Sequence, residues 1–202
     1  MPAAASATAL PEEIKENTTL TAAGNPYTGN PTIKAGVTLT VKPGVQFALY
    51  NINVDGTLKV EGTAEEPVVF TSAKEEAPGE WCSIDFRAGS GASVVDHAVI
   101  KYGGGCGGGA IRVNGSASPR IINSAFSKNS SYGVNVSEGG APEVADNMFF
   151  GSGVSYAAAG TKTGEVNIHG NFVEGGPNGI IANITSTGSV VGKNLGGNTV
   201  IK

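Results

Sequence analysis

The strongest constraint on this chain is a period. "PRIINSAF" (Pro119–Phe126) returns as "PEVADNMF" (Pro142–Phe149), so proline, aliphatic and aromatic positions all recur together. Phe126, Phe149, Phe172 and Leu195 are evenly spaced along the chain, and Asn123, Asn147, Asn171 and Asn194 keep almost the same interval. Alternating triplets recur alongside: Leu39-Thr-Val41, Leu58-Lys-Val60, Ile84-Asp-Phe86, Ile111-Arg-Val113, Val134-Asn-Val136 and Val154-Ser-Tyr156. Apolar ends around a polar middle mark a short strand with one buried face.

Strands this short gain stability only when repeated units stack. Units of about 23 residues joined by Gly, Asn and Ser turns fit the coils of a parallel β-helix, in which equivalent residues lie about 4.8 Å apart. Helical repeats need longer units and better helix formers than glycine and β-branched residues. The expectation is an all-β, single-stranded parallel β-helix of about seven to eight coils over residues 18–202. Residues 1–17 form an N-terminal tail, and "LPEEIKEN" (Leu10–Asn17) is expected as a short helix capping the first coil.

Within this scheme Phe126, Phe149 and Phe172 stack in the interior. Asn123, Asn147, Asn171 and Asn194 form a hydrogen-bonded ladder at inward turns, with His97 in the same column. The polar middles Thr40, Lys59, Asp85, Arg112, Asn135 and Ser155 are expected as one outward column. The column reads as a solvated stripe in which Lys59, Asp85 and Arg112 alternate in charge and avoid like-charge stacking. The alternative is a shallow groove for a glycan or peptide, with Lys59, Asp85, Arg112 and Asn135 as the candidate binding residues of an exposed sheet face.

Only 15 percent of residues are charged and the net charge is −4, which argues against nucleic acid as a partner. No apolar run reaches the length of a membrane span. The start "MPAAASATAL" reads as a mature secreted chain whose signal has been removed, and equally as an Ala-rich tail. Cys82 and Cys106 are separated by close to one coil, which suits a disulfide in a secreted setting. The triplets Ile84–Phe86 and Ile111–Val113 are offset by slightly more than the two cysteines, which would put Cys106 out of line with Cys82. Spacing leaves both outcomes open.

"GVTLTVKPG" (Gly36–Gly44), "VDGTLKVEGT" (Val54–Thr63), "PVVFTS" (Pro67–Ser72), "GEWCSIDF" (Gly79–Phe86) and "VVDHAVIKYGG" (Val94–Gly104) resemble secreted bacterial right-handed β-helix proteins of the cell-surface or adhesin-like type. The resemblance implies right-handed coils and an extracellular or surface setting. It carries no activity.

Polysaccharide lyases and hydrolases use related scaffolds, and their chemistry needs clustered carboxylates with a cation or base. The four aspartates Asp55, Asp85, Asp96 and Asp146 fall on different coils without an adjacent pair. "IHG" (Ile168–Gly170) resembles a motif of pectin hydrolases, but His169 sits beside the Asn column and reads as structural. Two histidines and two cysteines far apart give no metal-ligand pattern, and no cofactor is implied. "GGGCGGG" (Gly103–Gly109) lacks the Lys-Ser/Thr of a phosphate loop and reads as a connection between coils. Five Asn-x-Ser/Thr sequons, at Asn17, Asn114, Asn129, Asn135 and Asn183, accord with the Asn, Ser and Thr content of the chain. A single Thr-x-Thr at Thr38–Thr40 is too little for an ice-binding array. The sequence therefore points to a non-catalytic secreted or surface module: a rigid stalk or display surface, expected as part of a larger chain or associating through its C-terminal coil, with carbohydrate or another surface protein as the partner an exposed face could contact. The rival is a pectin-active type of enzyme.

Overall fold

The computed structural model describes residues 6–137, 139–151, 154–157, 167–175, 180–183 and 197–201. Its strands are two to five residues long and fall into three parallel sheets, A, B and C, of nine, eight and seven strands. The chain visits A, then B, then C, and repeats, making about seven turns of a β-solenoid. Each strand inside a sheet bonds to the coil before and the coil after, which satisfies backbone groups that such short strands could not satisfy alone. No helix among the described residues is long and apolar enough to cross a membrane.

The interior is built of columns. On sheet A, Tyr27, Phe47, Phe70, Ile100, Phe126, Phe149 and Val173 succeed one another in register and are buried. Phe47 and Phe70 stack at 4.7 Å between ring centroids, and Phe126 and Phe149 at 4.6 Å. Such pairs add about 0.5–1.5 kcal/mol beyond their burial. Ile52, Ile84, Ile111, Val134 and Val154 line sheet B from within, and Val41, Val60, Val95, Ile121, Val144 and Ile168 line sheet C.

The segment Leu10–Asn17 is not a helix. Glu13–Ile14 is a strand of sheet B paired with Thr32–Ile33, and Thr8–Ala9 is a strand of sheet A paired with Tyr27–Thr28. The first coil thus begins within residues expected as tail. Ile14 decides the matter: it is buried at the end of the interior column that continues through Ile33 and Val54. Glu13 faces outward to Lys15 at 2.9 Å and Lys34 at 3.2 Å, an alternation that only a strand satisfies.

Two columns shift by one position from their expected members. Asn147 pairs inward with Ser124, and Asn123 stands one place earlier, exposed and at positive φ. The reason is arithmetic: the step between equivalent positions of these coils runs from Ser124 to Asn147, a separation of 23, and Asn123 lies one further back. His97 shares the outer position of Asn123, and Ala98 takes the inner one. Phe172 is displaced in the same way. Phe149 pairs with Val173, and Phe172 lies half-buried on the outer side beside Phe150, 6.5 Å away. A slip of one residue changes the face a strand side chain meets. Asn194 and Leu195 lie outside the described residues.

The ladder itself runs through Asn147, Asn171 and Asn198. Their Oδ1 atoms accept from the backbone N–H of Ser124, Asn147 and Asn171 at 2.9, 3.0 and 2.8 Å. Their Nδ2 atoms donate to the carbonyls of Ile121, Val144 and Ile168 at 2.8, 2.8 and 3.1 Å. Each amide closes the corner between sheets C and A where water has no access.

Candidate binding strip on sheet B

Sheet B presents the middle residues of its strands outward. Thr32, Asn53, Asp85, Arg112 and Asn135 are paired in register, and the backbone of Ser155 continues the row. Thr40 and Lys59 belong to another column. They lie on sheet C, with Lys59 between Thr40 and Val94. The triplets around them look alike in sequence because sheets B and C share the same alternation, so the triplet alone does not say which sheet it joins. Of the four candidate residues, the structure brings Asp85, Arg112 and Asn135 together and separates Lys59 from them.

A second outward row follows the first: Asp55, Arg87, Asn114 and Ser137 come directly after the paired Val54, Phe86, Val113 and Val136. The two rows form one polar network centred on Asp85, which is only 6% exposed. Arg87 Nε donates to Asp85 Oδ2 at 3.3 Å, and its terminal nitrogens reach Asp55 Oδ1 at 3.4 Å and Asn53 Oδ1 at 2.5 Å. Asn114 Nδ2 donates to Asp85 Oδ1 at 2.6 Å, and Ser137 donates to Asn114 Oδ1. The Arg112 guanidinium approaches Asp85 at 3.7 Å and, among the described residues, makes no hydrogen bond. A shallow cavity of about 310 Å3 opens over Asp85, Arg87, Arg112 and Asn114.

The strands bearing Asp85 and Arg112 are tied together just before they enter the sheet. Cys82 and Cys106 form a disulfide with a Cα–Cα distance of 4.9 Å. Cys106 reaches back because the Gly103–Gly109 connection packs closely. A Cβ at Gly105 would meet the Gly79 carbonyl oxygen at 2.0 Å, and one at Gly103 would meet the Trp81 ring at 2.8 Å. Gly104 N–H donates to the Cys82 carbonyl at 2.9 Å, and Gly105 N–H to that of Trp81 at 3.0 Å. The glycine run is thus a fitted connection rather than a loose one. The arginine and asparagine partners Arg87, Asn53 and Asn114 are not among the candidate binding residues read from the sequence, where Asn114 figures only as a sequon. Their position, at or just after an outward strand centre, is the signal that finds them.

On sheet C, Arg120 Nε donates to Glu143 Oε2 at 2.5 Å, and His169 Nε2 lies 3.6 Å from Glu143 Oε1. The Arg120 guanidinium holds the Glu143 carboxyl below its ordinary value near 4.5. His169 thus faces outward, away from the Asn ladder. No three His, Cys, Asp or Glu side chains converge as a metal-holding group among the described residues.

Residues 12–107, just under half of the chain, match the model of a family described as a pectate-lyase like beta helix domain. The match includes Asp55, Asp85 and Arg87 and stops short of Arg112 and Asn135. No curated protein and no solved structure matches the chain significantly.

Proposed function

We propose that the chain is a non-catalytic β-solenoid module, secreted or held at a cell surface, that presents the outer strip of sheet B to a glycan or to another surface protein. The observation that carries this reading is the state of the strip's carboxylates. Asp85 is held by Arg87, Arg112 and Asn114, and Asp55 by Arg87. Both oxygens of Asp85 are thereby occupied, and the carboxylate fixes its partners in place. Arg112 keeps most of its donors for a ligand, in a row with Asn135 along the axis. A rigid ladder of donors and acceptors at coil spacing suits an extended chain. The disulfide supports an oxidising compartment.

The rival reading, a polysaccharide lyase or hydrolase, draws on the family match over residues 12–107. It requires a base free to take a proton in the strip, with a cation beside it. One experiment separates the two. The chain is titrated calorimetrically against pectin, alginate, chondroitin and neutral glucans, and the same mixtures are assayed for unsaturated products and new reducing ends. Binding without turnover, reduced about tenfold by Arg112→Ala, is the expected result. Turnover would establish the enzyme instead.

A further inference from the structure

His97, Asn123 and Asp146 occupy one corner position on three successive coils, at φ 47°, 49° and 56°. The strands that follow fix their register, with Val99 paired to Ala125 and Ala125 to Met148. These three polar side chains rim a cavity of about 250 Å3 whose floor is the outer side of sheet A at Val99, Ala125 and Met148. Met148 is 47% exposed, and Tyr50 and Ile201 are the other large apolar side chains so exposed among the described residues.

The rim has a definite hydrogen-bonding sense. Asp96 Oδ1 faces His97 Nδ1 at 2.7 Å and accepts from Asn123 Nδ2 at 2.9 Å. A carboxylate only accepts, so Nδ1 carries the proton, and in the neutral ring Nε2 keeps its lone pair. The amide nitrogen of Asn123 is spent on Asp96, which leaves its Oδ1 as an acceptor. Among the described residues the Asp146 carboxylate makes no hydrogen bond or ion pair. Its Oδ1 lies 2.1 Å from where a Cβ at Gly170 would stand, so glycine in the next coil makes room for it. No Lys or Arg lines the cavity. At the corner row the free groups are acceptors, one of them charged, and Thr63 adds a hydroxyl to the lining.

Acceptors over an apolar floor fit a ligand with donors at its head and hydrocarbon behind it. We propose that this groove binds a primary ammonium on an unbranched alkyl stem, the chemistry shared by a lysine side chain and a free alkyl diamine. The ammonium is held by the Asp146 carboxylate and Asn123 Oδ1, with His97 Nε2 as a further acceptor along the axis. The methylenes lie on Met148, Ala125 and Val99, as lysine stems do on apolar surface. An anionic ligand meets the Asp146 charge and is turned away. The groove is on a different sheet from the Asp85 strip and stands independently of that strip's role.

The test is calorimetric titration of the whole chain with pentylamine, pentanol, cadaverine and Nα-acetyl-lysine methylamide. The amines are expected to bind at least about tenfold more tightly than pentanol, and more weakly as salt rises. Asp146→Asn is expected to lower amine affinity about tenfold or more. Asparagine tolerates positive φ, so this variant keeps its backbone, and an unchanged melting temperature verifies it. Met148→Ser is expected to lower affinity for the amines and pentanol together, and Thr19→Ala, on the exposed face of sheet C and in neither site, to change neither. Tighter binding of the lysine derivative than of cadaverine supports the site and points to a protein partner; the reverse order supports it and points to a free polyamine. Equal affinity for pentanol and pentylamine, no amine binding at millimolar concentration, or an unaffected Asp146→Asn variant would overturn the proposal.

Discussion

Asn147 shows how much one inward amide carries. It accepts from Ser124 N–H, donates to the Ile121 carbonyl and meets Asn171 Oδ1 at 3.0 Å, all out of reach of water. Asn147→Ala orphans a buried donor and a buried acceptor, and an orphaned group costs about 1–3 kcal/mol. Asn123→Gly removes an exposed side chain from a position whose φ glycine accepts freely, so its effect is expected within about 0.5 kcal/mol of zero. Urea unfolding of the two variants checks the order; equal losses would place the ladder on the wrong residue. Position by type was legible in the sequence, since Asn at coil spacing signalled the ladder. The member at residue 123 was not, because one added residue in an interval looks the same whichever side of the turn it falls on. Glu143 gives a pH-dependent counterpart. Its carboxyl is depressed in the folded chain, so the contribution of the Arg120 pair is present above about pH 4.5 and fades as pH falls through the lowered value. Wild type is expected to exceed Glu143→Gln by no more than about 1 kcal/mol near neutrality, with the gap closing in acid. A gap that widened in acid would reverse the sign assigned to this pair.

At the scale of elements, the alternating triplets revealed strands but not sheets. Leu58-Lys-Val60 and Ile84-Asp-Phe86 have the same pattern, yet one lies on sheet C and the other on sheet B. What separates them is the length of connection before each, which a triplet does not record. The N-terminal segment failed for a related reason: Pro11 and the acids of Leu10–Asn17 suit a helix start, but burial of Ile14 beside Ile33 outweighs that local preference. The tight connections between strands make their own predictions. A Cβ at Gly133 would stand 2.6 Å from the Phe149 ring, so Gly133→Ala is expected to cost about 1–3 kcal/mol in thermal unfolding. Reducing the Cys82–Cys106 bond, which closes a loop of one coil, is expected to remove about 3 kcal/mol. Identical melting with and without reductant would show that the bond contributes nothing to the fold.

For the whole molecule, three parallel sheets wound over one interior give a stiff rod on which outward side chains recur at fixed steps. The strip on sheet B and the groove at the corner into sheet A are two consequences of that regularity. The most direct test of it is a ruler made of spin labels. Thr19, Thr40, Lys59, Val94, Arg120, Glu143 and Asn167 are successive outward positions of sheet C. With one label fixed at Thr19 and the second moved through Val94, Arg120, Glu143 and Asn167, pulsed EPR is expected to give distances that lengthen by about 4.8 Å per step, reaching about 29 Å at Asn167. Distances that fail to rise in that order, or that rise by steps unlike the spacing of parallel strands, would contradict the stacked-coil account.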